Sequence, residues 1–306
     1  MKSIQFAALF ALAACSATSE QAAPTPPLAS EAQIVAAQNA PLDGQNAEWN
    51  QPFQPFNVIG NIYYVGPANV SSYLITTERG HFLLDGGFAQ SAPQIIANVA
   101  ALGFDISDVK YLLNTHAHYD HQGGLAALQR ASGAAMIASA ADRAVLESGH
   151  VDYGPASEID SPPVRVDRVI ADGETLTLGG VTLTAIVMPG HTPGCTSWMM
   201  DVRGADGAPH RAFFHCSSTI GGQSLAPPAY PGIVENFRAT FARVRTIEAD
   251  ILLGNHGNLF DLPGLRARQI AGDANAFVDA GALQRFNEAT AAAFNEELER
   301  QTATAN

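Results

Sequence analysis

Cationic side chains are scarce in this chain. Its 306 residues hold 16 Lys and Arg against 29 Asp and Glu, a formal charge of −13, and beyond Lys2 the only lysine is Lys110. A surface of that sign repels phosphate and argues against a nucleic-acid binder. Cysteine is scarce too, and three residues cannot build a disulfide scaffold. The apolar stretch over residues 4–14 falls far short of the ~20 residues that a membrane-spanning helix needs. Charged residues make up only 15%, while 47% hydrophobic residues are too many for a disordered chain. No G-x-S-x-G nucleophile elbow occurs. What is left is a globular enzyme or binder with a processed N-terminus.

Lys2, the apolar stretch and the ending Leu12-Ala13-Ala14-Cys15 read as a secretory signal over residues 1–14. Those last four residues resemble a bacterial lipobox. The resemblance implies cleavage before Cys15 and lipidation of Cys15, and Ser16 in the next position implies transfer to the outer membrane. Residues 15–48, rich in Ala, Gln and Ser with Pro24, Pro26 and Pro27 close together, are expected to form a flexible tether. The membrane is met only through that anchor.

Residues 49–306 read as one domain. Strands are expected over 61–65, 72–76, 81–85, 109–113, 175–178, 181–188, 196–202, 212–215 and 251–253. Helical spacing covers 93–102, 125–131, 138–147, 234–247 and 265–277. Strand-rich runs and helices alternate twice, which predicts an α/β fold with two sheets face to face and helices outside, a four-layer αββα sandwich. Residues 148–166 carry three prolines and are expected as a long surface loop.

The chemistry concentrates in Thr115-His116-Ala117-His118-Tyr119-Asp120-His121, directly after the strand over 109–113. His116 and His118 are two apart, so in an extended segment both imidazoles project to the same side. Asp120 and His121 are adjacent and diverge, so the cluster suits two ions side by side better than one tetrahedral ion. Nitrogen donors with one carboxylate favour zinc over calcium or magnesium. Gly123 and Gly124 let the chain turn into the next helix. His191, within Pro189-Gly190-His191-Thr192-Pro193-Gly194, and His256, within Gly254-Asn255-His256-Gly257, also follow strands. With the first cluster they complete two coordination shells. His81, His150, His210 and His215 are left as ordinary histidines.

These residues resemble the metallo-β-lactamase superfamily. The resemblance extends to Asn61-Ile-Tyr-Tyr-Val-Gly66, Ser72-Tyr-Leu-Ile-Thr76, Leu84-Asp-Gly-Gly87 and Tyr230-Pro-Gly-Ile233, which look like subclass B3 metallo-β-lactamases. Many other hydrolases of the superfamily place a metal-bridging Asp after the strand over 212–215. Here that segment reads Cys216-Ser217-Ser218-Thr219, and Ser217 and Thr219 fit the substrate-binding hydroxyls of subclass B3. Cys216 and Cys195 are read as buried thiols, with their pairing left open.

The resemblance implies two zinc ions, one held by His116, His118 and His191 and the other by Asp120, His121 and His256. It further implies that zinc-bound hydroxide, oriented by Asp120, attacks the amide carbonyl of a β-lactam antibiotic and so confers resistance. With no lysine to clamp it, the substrate carboxylate is expected to rely on Ser217, Thr219 and zinc. The chain is expected as an exported, periplasmic monomer. The rival inside the fold is a lactonase or thioesterase, and the rival outside it is a non-catalytic zinc protein, against which the open ligand sets speak.

Overall fold

Two apolar sheets facing each other set the frame. The structure, a computed structural model, describes residues 26–305. The signal over 1–14 and the lipid site at Cys15 lie outside the described residues. The first sheet runs in chain order through β1 (Phe56–Ile59), β2 (Ile62–Tyr64), β3 (Tyr73–Thr77), β4 (Gly80–Leu84), β5 (Val109–Leu113), β6 (Ala135–Ser139) and β7 (Arg168–Ile170). From β1 to β4 the pairs are antiparallel, and from β4 to β7 they are parallel. The second sheet holds β8 (Thr175–Leu178), β9 (Val181–Val187), β10 (Thr196–Arg203), β11 (Pro209–His215) and β12 (Ile251–Gly254) in the order β12-β11-β10-β9-β8. Only β11 and β12 run parallel in it.

Strand alternation explains why both faces of each sheet are apolar. In β3 to β6, Tyr73, Ile75, Phe82, Leu84, Leu113 and Ile137 face the inter-sheet core. Their neighbours Leu74, Leu83, Leu112 and Met136 face the helices. The second sheet contributes Trp198, Met200, Phe214 and Leu253 to the same inner layer, and Phe213 and Leu252 turn outward. Over the first sheet lie α1 (Glu31–Gln38), α3 (Ala92–Ala101), α5 (Leu125–Ser132) and α6 (Ala140–Ser148). Over the second lie α7 (Ile233–Val244) and α9 (Ala282–Ala305), joined through Phe237, Phe241 and Phe294. The remaining described α-helices are α2 (Gly44–Trp49), α4 (Tyr119–Gln122) and α8 (Leu262–Ile270), the last of which buries Leu262 in the inter-sheet core. The expected αββα sandwich is the observed architecture.

Three expectations need correction. The tether is not featureless up to residue 48. Ser30 caps α1 in a reciprocal box with Gln33, and Ala29 and Ile34 are buried with Ala92 and Ile95. The helix expected over 138–147 begins two residues later, because residues 135–139 extend the first sheet as β6. The helix expected over 265–277 is α8, which ends at Ile270, and the longest helix, α9, was not anticipated. The loop over 148–166 is as expected, with one 3₁₀ turn at Pro155–Glu158.

The sheets are joined by polar bonds at one end. Thr196 N donates to Thr115 O at 2.7 Å, Trp198 Nε1 to Asn114 O at 3.2 Å and Tyr73 OH to Gly254 O at 2.8 Å.

Candidate active site

That pinned end is where the functional side chains collect. His116 and His118 follow β5 in extended backbone, and α4 then carries Asp120 and His121. His191 follows β9, and His256 follows β12. Gly124 has a packing reason beyond the turn, since a Cβ there would lie 2.1 Å from Gly86 O.

Six side chains converge as two adjoining sets. The ligand atoms of His116, His118 and His191 all lie within 4.8 Å of one another. Asp120 Oδ2 is 3.4 Å from both His121 Nε2 and His256 Nε2, and those two nitrogens are 3.1 Å apart. His116 adjoins the second set, its ring centroid 4.3 Å from that of His121.

Buried partners fix which ring nitrogen is free. Asp85 sits at φ 61°, a left-handed backbone sparsely populated by residues other than glycine and held only where the surroundings fix it, here by side-chain bonds to the segment after β5. Its Oδ1 accepts from Thr115 N at 2.7 Å and Asn114 Nδ2 at 3.1 Å. The Thr115 hydroxyl donates to Asp85 Oδ2 at 2.6 Å, so toward His116 Nδ1, 3.2 Å away, it can only accept. Nδ1 therefore carries the proton and Nε2 keeps its lone pair. His191 Nδ1 likewise donates to Thr219 O at 2.8 Å, and His121 Nδ1 faces Asp85 Oδ2 at 3.3 Å.

His116 Nε2 is buried without a hydrogen-bond partner, which costs ~1–3 kcal/mol unless a ligand takes the lone pair. A cation among these donors removes that cost, and the His/Asp set fits a metal of zinc's type.

Charge follows the same design. Burial and the neighbouring imidazoles hold His116 and His118 well below the usual histidine range. Burial lowers His191 to about 4. Burial works against the Asp120 carboxylate, yet His121, His256 and His118 outweigh it and keep it ionised far below the ordinary range. Burial also opposes a proton on His121, but Asp120 and Asp85 raise it. The first set is thus three neutral imidazoles, and the second is built around a fixed anion.

The sets open on a cleft of about 330 Å³ bordered by Trp49, Tyr119, Tyr153, Thr219 and Gln223. Trp49 lies over His256 with ring centroids 4.8 Å apart. Thr219 reaches this cleft. Ser217, expected beside it, is buried behind it, and its hydroxyl accepts from Thr219 N at 3.2 Å and lies 3.0 Å from Thr219 Oγ1. Cys195 and Cys216, read as thiols, are joined as a disulfide with Cα atoms 5.8 Å apart. Antiparallel pairing of Trp198 with Phe214 brings the two chain segments alongside, and the bond removes Cys216 from any ligand role.

A profile of the metallo-beta-lactamase superfamily matches residues 65–201. The crystal structure of BJP-1, a subclass B3 metallo-beta-lactamase of Bradyrhizobium japonicum, is similar at 39% identity and TM-score 0.80, over 84% of this chain and 98% of that one. The chain belongs to the metallo-β-lactamase superfamily. Within it, FEZ-1 from Legionella gormanii is similar at 35% identity and TM-score 0.79, over 83% of this chain and 98% of that one. Curated relatives match over shorter stretches. The hydroxyacylglutathione hydrolase of Hyphomonas neptunium is 35% identical over 99 residues, 32% of this chain and 31% of that protein. The chain thus spans about a third of that relative's length.

Sequence reasoning gave Asp85 and Gln223 no role in this superfamily site. Asp85 was visible as Asp-Gly-Gly at a strand's end. Gln223 Nε2 donates to His191 O, a long-range bond with no local signature.

Proposed function

We propose that the chain is a zinc-dependent β-lactamase of subclass B3 type. The observation that carries this reading is the convergence of the two ligand sets beside a β11 end that offers the Thr219 hydroxyl, backed by Ser217, and no free thiolate or carboxylate. His116, His118 and His191 would hold one zinc, and Asp120, His121 and His256 the other. Bound zinc lowers the pKa of a coordinated water to about 7 and polarises a carbonyl, the chemistry that lactam hydrolysis needs.

The chain's own residues supply positioning. Asp120, held ionised, orients the attacking water as a hydrogen-bond acceptor. The Thr219 hydroxyl donates to the substrate carboxylate, with Ser217 fixing it from behind. Among the described residues lining the cleft there is no Lys or Arg, so the carboxylate is bound without a cationic clamp. Trp49 and Tyr119 narrow the mouth and displace water. The protein acts as a monomer in the periplasm, exported by residues 1–14 and tethered to the outer membrane through lipid on Cys15, and it degrades β-lactam antibiotics. A Cys15→Ala protein recovered soluble supports the tether, and unchanged membrane fractionation removes it.

A second reading, a hydrolase of thioesters or lactones, rests on the curated relatives such as the hydroxyacylglutathione hydrolase. Zinc-loaded protein assayed spectrophotometrically with a cephalosporin, a carbapenem, a lactone and a thioester separates the two. The first reading expects turnover of the β-lactams, lost on chelation. Turnover of the lactone or thioester alone would replace it with the second.

A further inference from the structure

Asp142 is a buried carboxylate outside both ligand sets, with 3% exposure. It is the third residue of α6, one turn past the cap Ser139, whose hydroxyl accepts from Asp142 N at 3.2 Å. An acid suits a helix's first turn, but this carboxyl serves two other segments. Asp142 Oδ2 accepts from Ala117 N at 3.1 Å and from Thr192 Oγ1 at 3.3 Å. Ser139 Oγ meanwhile donates to Gly194 O at 2.8 Å. The approach is close enough that a Cβ on Gly194 would lie 2.3 Å from both Asp142 Oδ1 and Ser139 Oγ.

Ala117 stands between His116 and His118, and Thr192 directly follows His191. One carboxyl therefore bridges the two chain segments, one after β5 and one after β9, that supply the first ligand set. None of its bonds reaches Asp120, His121 or His256. Burial pushes the carboxyl up to about 7, against the pull of its donors. A group so costly to bury is retained only where its bonds do something.

We infer that Asp142 is a positioning residue for the first metal site, fixing the turn that carries His191 at a set distance from the segment that carries His116 and His118. This rests on the reading of the two sets as metal sites. Asn in place of Asp142 keeps the volume but presents an NH₂ group toward N–H and O–H donors, which loosens the bridge.

The test is zinc titration of the chelator-stripped full chain against a chromophoric competitor. Wild type is expected to bind zinc in two steps. In Asp142→Asn one step weakens about 10- to 100-fold, the range for outer partners of metal ligands, and the other stays put. Two unchanged steps, or equal weakening of both, overturn the inference. Circular dichroism of the stripped proteins checks folding. Should Asp142→Asn fail to fold, Thr192→Val, which removes a single donor, decides: weakening of the same one step supports the inference and a wild-type titration overturns it. Wild type that binds no zinc fails differently, because it removes the metal sites themselves.

Discussion

The two ends of the second sheet carry recesses of opposite character. Where β9 and β12 lead into His191 and His256, the cleft is about 330 Å³, and His118, Asp120, His191 and Gln223 in its wall are buried. At the other end Arg203, His210, Arg211 and Asp250 border a groove of about 1150 Å³. Its ion pairs stand in water: Arg211 meets Asp201 at 3.2 Å with both side chains exposed. The smaller recess is the one in which desolvated donors meet at fixed spacing. Volume marks where loops leave a gap, whereas chemistry needs groups held out of water with their partners chosen.

The sharpest way to break that contrast is to remove one group at each end. Asp120→Ala should lower β-lactam kcat/KM by at least about a hundredfold, because the second set loses its anion and the water its acceptor, while near-wild-type circular dichroism shows the fold intact. Wild-type turnover would remove the active site from this end.

A smaller effect concerns acid stability. Burial, with His191 nearby, lowers His215 to about 3. Its ring lies 3.1 Å from Ser218 Oγ and 3.4 Å from Ser197 Oγ, between the rings of Phe213 and Phe286. Unfolded, the ring protonates near its ordinary value of about 6.5, so its contribution is complete above that pH and declines as pH falls from there toward about 3. His215→Gln should flatten the stability-versus-pH curve of the chelated protein over that window, by up to about 1.4 kcal/mol per pH unit. A curve with unchanged slope contradicts a buried neutral His215. The far end should show the smallest response. Arg211→Ala removes an exposed pair and should shift stability by no more than about 0.5 kcal/mol, with turnover unchanged. A large loss of turnover would give the wide groove a function.

Much of this was legible in the sequence, for reasons that also mark the boundary. The strands that carry ligands alternate core-facing side chains, and His116 to His121, His191 and His256 each follow such a strand, so local pattern was enough. α9 buries Leu283, Asn287, Ala291 and Phe294, a stripe with one polar and one small member, too weak to read as periodic. α1 announces itself only through Ser30 and Gln33. Ser217 failed as a cleft residue because a strand end fixes position but not which hydroxyl turns outward. Asp142 resembles any acid in a helix's first turn, since nothing local separates one facing solvent from one bonded to Ala117 and Thr192. The Cys195–Cys216 bond needed the pairing of β10 with β11. These are facts of tertiary placement.

The polar bonds that join the sheets, from Thr196 to Thr115, from Trp198 to Asn114 and from Tyr73 to Gly254, have a consequence for how the site is assembled. His116, His118, Asp120 and His121 arrive on one sheet, and His191 and His256 on the other. With sliding between the layers arrested at that rim, the six donors hold their mutual register through folding alone. An incoming cation then meets a finished cage, and its affinity is not diminished by the entropy of gathering a loose chain.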